Sequence, residues 1–141
     1  MTTEVRLATP ADAGVVLSST DVFDTAPRPD WTQEFLSDPR HHMLLALDGG
    51  ALVGFLSGNN FLHPDKPPTF WIAELGVNES HQRQGIATRL VAAAEAHARS
   101  LECQEIWVFS DPTPDALGFY TSLGWAREGS HIAMFTKVLT P

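Results

Sequence analysis

The stretch Glu74-Leu75-Gly76-Val77, followed after four residues by Gln82-Arg83-Gln84-Gly85-Ile86-Ala87-Thr88, decides how this chain is read. The first four residues close a β-rich run that begins at Phe70, and a polar turn comes after them. From Gly85 the period changes. Ile86, Leu90, Val91, Ala94 and Ala98 recur on one helical face while Arg89, Glu95 and Arg99 point elsewhere, which predicts a long helix over residues 85–101. The first turn of a helix leaves backbone N–H groups unpaired, and the macrodipole adds partial positive charge there. Gly85 and Ala87 carry almost no side chain, so an anion can approach those amides as in a phosphate cradle. The same residues also fit a helix that merely begins with glycine. Neither the Gly-Lys-Ser/Thr of a P-loop nor a three-glycine dinucleotide turn is present.

Residues 105–109 form a further β-rich run directly after the helix. A strand, a helix and a strand in succession imply one crossover, so residues 70–77 and 105–109 should be parallel. Upstream, residues 43–47 and 51–57 are apolar runs separated by Asp48-Gly49-Gly50, a hairpin signal. Residues 59–68 hold three prolines and read as an exposed loop. An opening strand over residues 5–7 precedes Thr9-Pro10-Ala11-Asp12, a helix start with a capping threonine. That helix is expected to turn Val15, Val16, Val22 and Phe23 inward, and residues 31–36 offer one more short helix. Asp111-Pro112-Thr113-Pro114 is a turn, residues 115–123 a helix closed by Gly124, and residues 132–138 a closing strand. The expected fold is α/β, one domain over residues 1–141, with a mixed, mostly antiparallel sheet around a central parallel pair.

Composition narrows the function classes. Nine Lys+Arg against seventeen Asp+Glu leave a net charge of −8, poorly suited to nucleic acid or an anionic membrane and compatible with a cationic small molecule. Cys103 is the single cysteine, which excludes an internal disulfide. It reads as a small packing residue rather than a nucleophile. His41, His42 and His97 form no H-E-x-x-H pattern, so no metal is expected; His131 is a surface residue or touches substrate. No apolar run approaches the ~18 residues of a spanning helix, and the N-terminus lacks a signal-peptide layout, so a cytoplasmic protein is expected.

A second constellation is Ala116-Leu117-Gly118-Phe119-Tyr120-Thr121-Ser122-Leu123-Gly124-Trp125. Phe119 and Leu123 are four apart and pack on one face; Tyr120 beside them is either a packing residue or a proton donor. Taken together, Gln82-x-x-Gly85-x-Ala87 after a strand and Ala116-x-x-Phe119-Tyr120-x-x-x-Gly124-Trp125 after it resemble the GNAT superfamily of N-acetyltransferases. The resemblance implies two parallel strands splayed into a V that holds acetyl-CoA. Its pyrophosphate would lie on the amides of Gln84, Gly85, Ala87 and Thr88, beside Gln82 and Arg83, with the pantetheine along Leu75 and Val77. Ser80-His81-Gln82-Arg83-Gln84-Gly85, Asp21-Val22-Phe23 and the turn before Tyr120 are further similar to the aminoglycoside 3-N-acetyltransferases. That turn is shorter and less acidic here, Trp125 stands where Phe is usual, and Thr113 replaces an Asn.

The implied chemistry is direct attack of a neutral amine on the thioester. The N–H of Val77 would serve the oxyanion, Glu74 or Asp111 (or a water) would take the ammonium proton, and Tyr120 would protonate the thiolate. Strict alternation puts Glu74 on the strand face opposite Leu75 and Val77, where it is a solvated carboxylate unless a bulge re-aims it. Asp21, Asp24, Asp30, Glu74, Asp111 and Asp115 are the acidic candidates for a cationic acceptor, an aminoglycoside in the first instance. A polyamine or protein N-terminus is the rival acceptor, a non-catalytic acyl-CoA-binding module the rival class, and a homodimer is compatible with either.

Overall fold

Leu44, Leu45 and Ala46 are consecutive apolar residues that are all buried, which a strand achieves only when both faces of its sheet are covered. The computed structural model describes residues 3–19, 21–129 and 132–140 and divides into two compact units, Met1–Phe109 and Ser110–Pro141. His131 lies outside the described residues.

The first unit contains β1 (Glu4–Leu7), a 3₁₀ turn, α1 (Ala13–Leu17), α2 (Pro29–Ser37), β2 (His41–Asp48), β3 (Ala51–His63), β4 (Lys66–Val77), a second 3₁₀ turn (Glu79–His81), α3 (Ile86–Ser100) and β5 (Glu105–Val108). The sheet runs β1-β2-β3-β4-β5. The first three pairings are antiparallel; β4 and β5 are parallel, as the crossover requires. One face carries Met43, Leu45, Leu47, Leu52 and Phe55 against Val16, with Val22, Phe23 and Phe35 packed alongside. The other meets α3, which packs on β2, β3 and β4 and buries Ile86, Leu90, Val91, Ala94 and Ala98. Each large aliphatic side chain removed from water in this way contributes about 1.5–3 kcal/mol.

The opening turn is pinned electrostatically. Asp12 is 6% exposed, accepts two hydrogen bonds from the Arg6 guanidinium at 2.7 and 2.9 Å, and accepts a third from the Thr9 N–H at 2.7 Å. These bonds hold its carboxyl down to a pKa of about 2, against the cost of burial.

Three expectations are corrected. The helix after Thr9 ends at Leu17, so Val22 and Phe23 reach the core from the segment beyond it. The three-proline segment is not a loop but a hairpin: β3 continues to His63, β4 starts at Lys66, and His63 pairs with Lys66 around Pro64-Asp65. Pro67 and Pro68 are tolerated because the β5 ladder begins only at Thr69, so their missing N–H groups cost that pairing nothing. In the second unit, residues 132–138 form no strand. A strand is sustained by ladder hydrogen bonds, and these residues enter no sheet; Met134 and Phe135 are exposed.

That unit otherwise obeys its local signals. Thr113 caps α4 (Pro114–Ser122) by accepting from the Ala116 N–H, and Gly124 leaves the helix at φ 83°.

Candidate active site

The β3–β4 ladder contains one irregularity that matters for chemistry. Gly58 pairs with Ile72 but Ser57 pairs with Glu74, so Ala73 is an extra residue on β4. Directly paired residues share a face, so Glu74 is turned to the side of Ser57 and Phe55, the α1–α2 side. Gly58 permits this crossing: a Cβ there would overlap the Trp71 carbonyl and lie 2.6 Å from the Phe70 ring. The bulge precedes Glu74, so Glu74 changes face relative to Ile72 but still points opposite to Leu75 and Val77, which share the face of Leu56 and Gly54.

A cavity of about 370 Å³ opens on that face. Phe23, Trp31, Phe35 and Phe55 give it aromatic walls, and Asp24 and Glu74 supply its carboxylates. Aromatic faces and carboxylates both attract ammonium groups, while Arg28 also lines the cavity and sets a positive charge there. Arg28 lies over the Trp31 ring at 4.0 Å and pairs with Asp30 at 2.7 Å. Asp30 and Asp21 do not line the cavity, and the Arg28 pair pulls the Asp30 carboxyl below its usual range. Of the four acidic candidates in the first unit, the structure thus brings two together, Asp24 and Glu74. Sequence reasoning missed the aromatic walls; Trp31 and Phe35, four apart on α2, were the available signal.

Beside the bulge the parallel ladder stops. Ile72 pairs with Val108 and β5 ends there, while β4 runs on to Val77. The Asn78 N–H donates to the Val53 carbonyl at 2.8 Å, so by strand alternation the Val77 peptide groups point away from β3. Consistently, the Val77 carbonyl accepts from Gln82 Nε2 at 3.1 Å. Leu75 shares this parity, so the two residues present backbone groups along the edge where β4 and β5 part.

The loop to α3 contains two left-handed residues, Arg83 at φ 62° and Gly85 at φ 79°. The first intrahelical bond of α3 is Arg89 N–H to the Gly85 carbonyl at 3.1 Å, so the amides of Ile86, Ala87 and Thr88 precede the helical ladder. No acidic side chain stands in this first turn, and Gln82, Arg83, Gln84 and Thr88 are exposed. The arrangement is an open, unneutralised helix N-terminus. An added Cβ at Gly85 would meet nothing within 4 Å, so glycine is required there by its backbone conformation rather than by space.

In the second unit Tyr120 is half-buried on α4, its ring 5.0 Å from Phe119 and 5.3 Å from Trp125. Burial pushes the phenol pKa up, so it keeps its proton through the neutral range, as a proton donor must. Asp111 and Asp115 are exposed in the same unit. Burial likewise raises the Cys103 thiol, which makes it a poor nucleophile. His97 and His42 are bonded to each other at 2.9 Å and His42 to Asn60 at 2.8 Å, a structural chain. Among the described residues no cluster of three or more His, Cys, Asp or Glu could hold a metal ion, and no helix is long and apolar enough to cross a membrane.

The sequence profile of the acetyltransferase (GNAT) family matches residues 13–125. The chain is also 30% identical over 105 residues to the alpha-tubulin N-acetyltransferase of Giardia intestinalis. That stretch is 69% of this chain and 28% of the relative, so the chain spans little more than a quarter of that protein's length. Among solved structures, an aminoglycoside acetyltransferase from an uncultured soil metagenomic sample, in complex with sisomicin, superposes with a TM-score of 0.83 at 20% identity, covering 96% of each chain. AAC(6')-Iy bound to a CoA bisubstrate analog superposes at 0.80 and 16% identity, covering 98% of this chain and 99% of that one. The ribosomal-protein-alanine N-acetyltransferase of Brucella melitensis biovar Abortus 2308 gives 0.72 and 20%, covering 95% and 99%. At such identities the superpositions speak for the fold.

Proposed function

From a chain that belongs to the acetyltransferase (GNAT) family, and so to the acetyl-CoA-dependent N-acetyltransferases, we propose transfer of the acetyl group to a primary amine seated in the cavity beside Glu74. The observation that carries this reading is the Ala73 bulge, which turns a carboxylate onto the cavity face next to the edge where β4 and β5 part. We take residues 1–141 as one acetyltransferase domain working in the cytoplasm. The acceptor we assign is an aminoglycoside, modified at a 3-N position as in antibiotic resistance. Its support is the resemblance around Gln82–Gly85, the aromatic and acidic lining, and the net charge of −8.

In this reading the pyrophosphate of acetyl-CoA rests on the amides of Gln84, Gly85, Ala87 and Thr88, with Gln82 and Arg83 beside it. The pantetheine runs along Leu75 and Val77 as an added strand would. Glu74, directly or through a water, takes a proton from the ammonium, with Asp111 as the substitute base. The amine nitrogen then bonds to the thioester carbon, the Val77 N–H stabilises the oxyanion, and the carbon–sulfur bond breaks. Tyr120 supplies the proton that leaves with the sulfur as a free thiol, and it is reprotonated by the second proton that the nitrogen sheds as the amide forms.

Thiol release measured across a panel of amines tests the proposal. Turnover of a gentamicin-like aminoglycoside is the expected result, with a KM that rises with salt because attraction between charges is screened. Turnover confined to a peptide N-terminus, a lysine side chain or a polyamine would overturn the acceptor. Binding of acetyl-CoA with no turnover of any amine would leave a non-catalytic acyl-CoA-binding module.

A further inference from the structure

The loop that precedes α3 is held by a side chain from another hairpin. Asp48 ends β2 at the β2–β3 turn, where Gly49 and Gly50 both take left-handed backbone conformations (φ 59° and 87°) and let the chain reverse in two residues. Its Oδ2 accepts from His81 Nε2 at 2.8 Å, across 33 positions of sequence. The two side chains are 25% and 22% exposed, so water competes only partly for the bond. A carboxylate oxygen can only accept, so His81 Nε2 carries a proton; in the neutral ring Nδ1 is then the lone pair, and it accepts from Ser80 Oγ at 2.8 Å. The imidazole is thereby fixed in tautomer and orientation at the end of the 3₁₀ turn Glu79–His81.

The backbone just beyond His81 needs such a tether. Arg83 stands at φ 62°, a conformation that side-chain-bearing residues adopt only at a steric cost, and Gly85 comes next but one at φ 79°. The bonds from His81 N–H to Asn78, from Gln82 N–H to Glu79 and from Gln82 Nε2 to Val77 are local to the loop and its own strand. The bond from His81 to Asp48 fastens the loop to a separate part of the sheet.

We infer that Asp48 is a positioning residue for the coenzyme loop: acting through His81, it holds residues 82–85, with Arg83 and Gly85 left-handed, in the arrangement that presents the α3 amides before the anion arrives. The inference rests on the placement of the pyrophosphate proposed above. A loop already ordered loses less freedom on binding, so the tether shows in affinity for acetyl-CoA and not in the chemical step. Neither Asp48 nor His81 belongs to the catalytic or binding groups named above.

The test uses Asp48→Ala, Asp48→Asn and His81→Phe in the full chain, with acetyl-CoA binding by calorimetry and steady-state kinetics for both substrates. Asp48→Ala and His81→Phe should raise Kd and KM for acetyl-CoA about tenfold, the worth of one charge-assisted hydrogen bond, with kcat and the amine KM unchanged. Asp48→Asn, which keeps an acceptor oxygen, should recover most of the affinity. Unchanged acetyl-CoA affinity in folded Asp48→Ala, or in the folded double variant carrying Asp48→Asn and His81→Phe, would overturn the positioning role, as would a loss confined to kcat. Wild-type protein that binds no acetyl-CoA would instead overturn the cofactor reading itself, so the two failures are distinguishable.

Discussion

Glu74 stands opposite Ser57 in the β3–β4 ladder, one residue out of step with the pairing of Ile72 and Gly58. The offset turns its carboxylate from the α3 side of the sheet to the cavity. If that carboxylate is the base, Glu74→Gln should lower kcat by about 10²–10⁴ with the Kd for acetyl-CoA unchanged. Rapid-mixing kinetics and calorimetry read the two quantities; a normal kcat would return Glu74 to the role of a solvated carboxylate.

Gly85 can be probed without crowding. Its site has room for a Cβ, but φ 79° disfavours any L side chain, most of all a β-branched one. Gly85→Val should therefore weaken acetyl-CoA binding by re-forming the loop, while Arg83→Gly, which relieves the neighbouring left-handed residue, should leave the fold as stable or more so. Equal acetyl-CoA affinity in Gly85→Val and wild type, by calorimetry, would exclude the cradle at this position.

The Arg6–Asp12 pair predicts an acid limb of stability. The Asp12 carboxyl is held at about 2 in the folded chain against 3.8 ordinarily, so its contribution is complete above pH 3.8 and is lost as pH falls through about 2. That contribution is about 1–2 kcal/mol once solvent screening at the exposed Arg6 side is allowed for. Urea unfolding of wild type and Asp12→Asn at several pH values should show a stability gap near neutrality that closes between pH 4 and 2. A gap independent of pH would remove the ion pair as its source.

Tyr120→Phe separates donation from packing, because the ring contacts with Phe119 and Trp125 survive the loss of the hydroxyl. A proton donor at this position predicts a fall in kcat of about 10²–10⁴ at unchanged melting temperature. Loss of melting temperature with normal kcat would make the residue a packing one.

The long α3 face, the Asp48-Gly49-Gly50 hairpin and the helix over residues 115–123 closed by Gly124 were legible in the sequence. Each depends on a period or a turn residue within a few positions, where backbone preference and side-chain spacing act directly. The same local reasoning gave the β4–β5 parallel pair through the crossover that α3 must make. It failed at the three-proline hairpin, where local punctuation was outweighed by pairing with a strand already in place, and at residues 132–138, where apolar composition met no partner strand. The side of the sheet that Glu74 occupies, the cavity that receives it and the bond from Asp48 to His81 were decided by tertiary structure. A register shift is a property of two strands at once, set here by the close approach that Gly58 allows to Trp71, and no period within β4 alone encodes it.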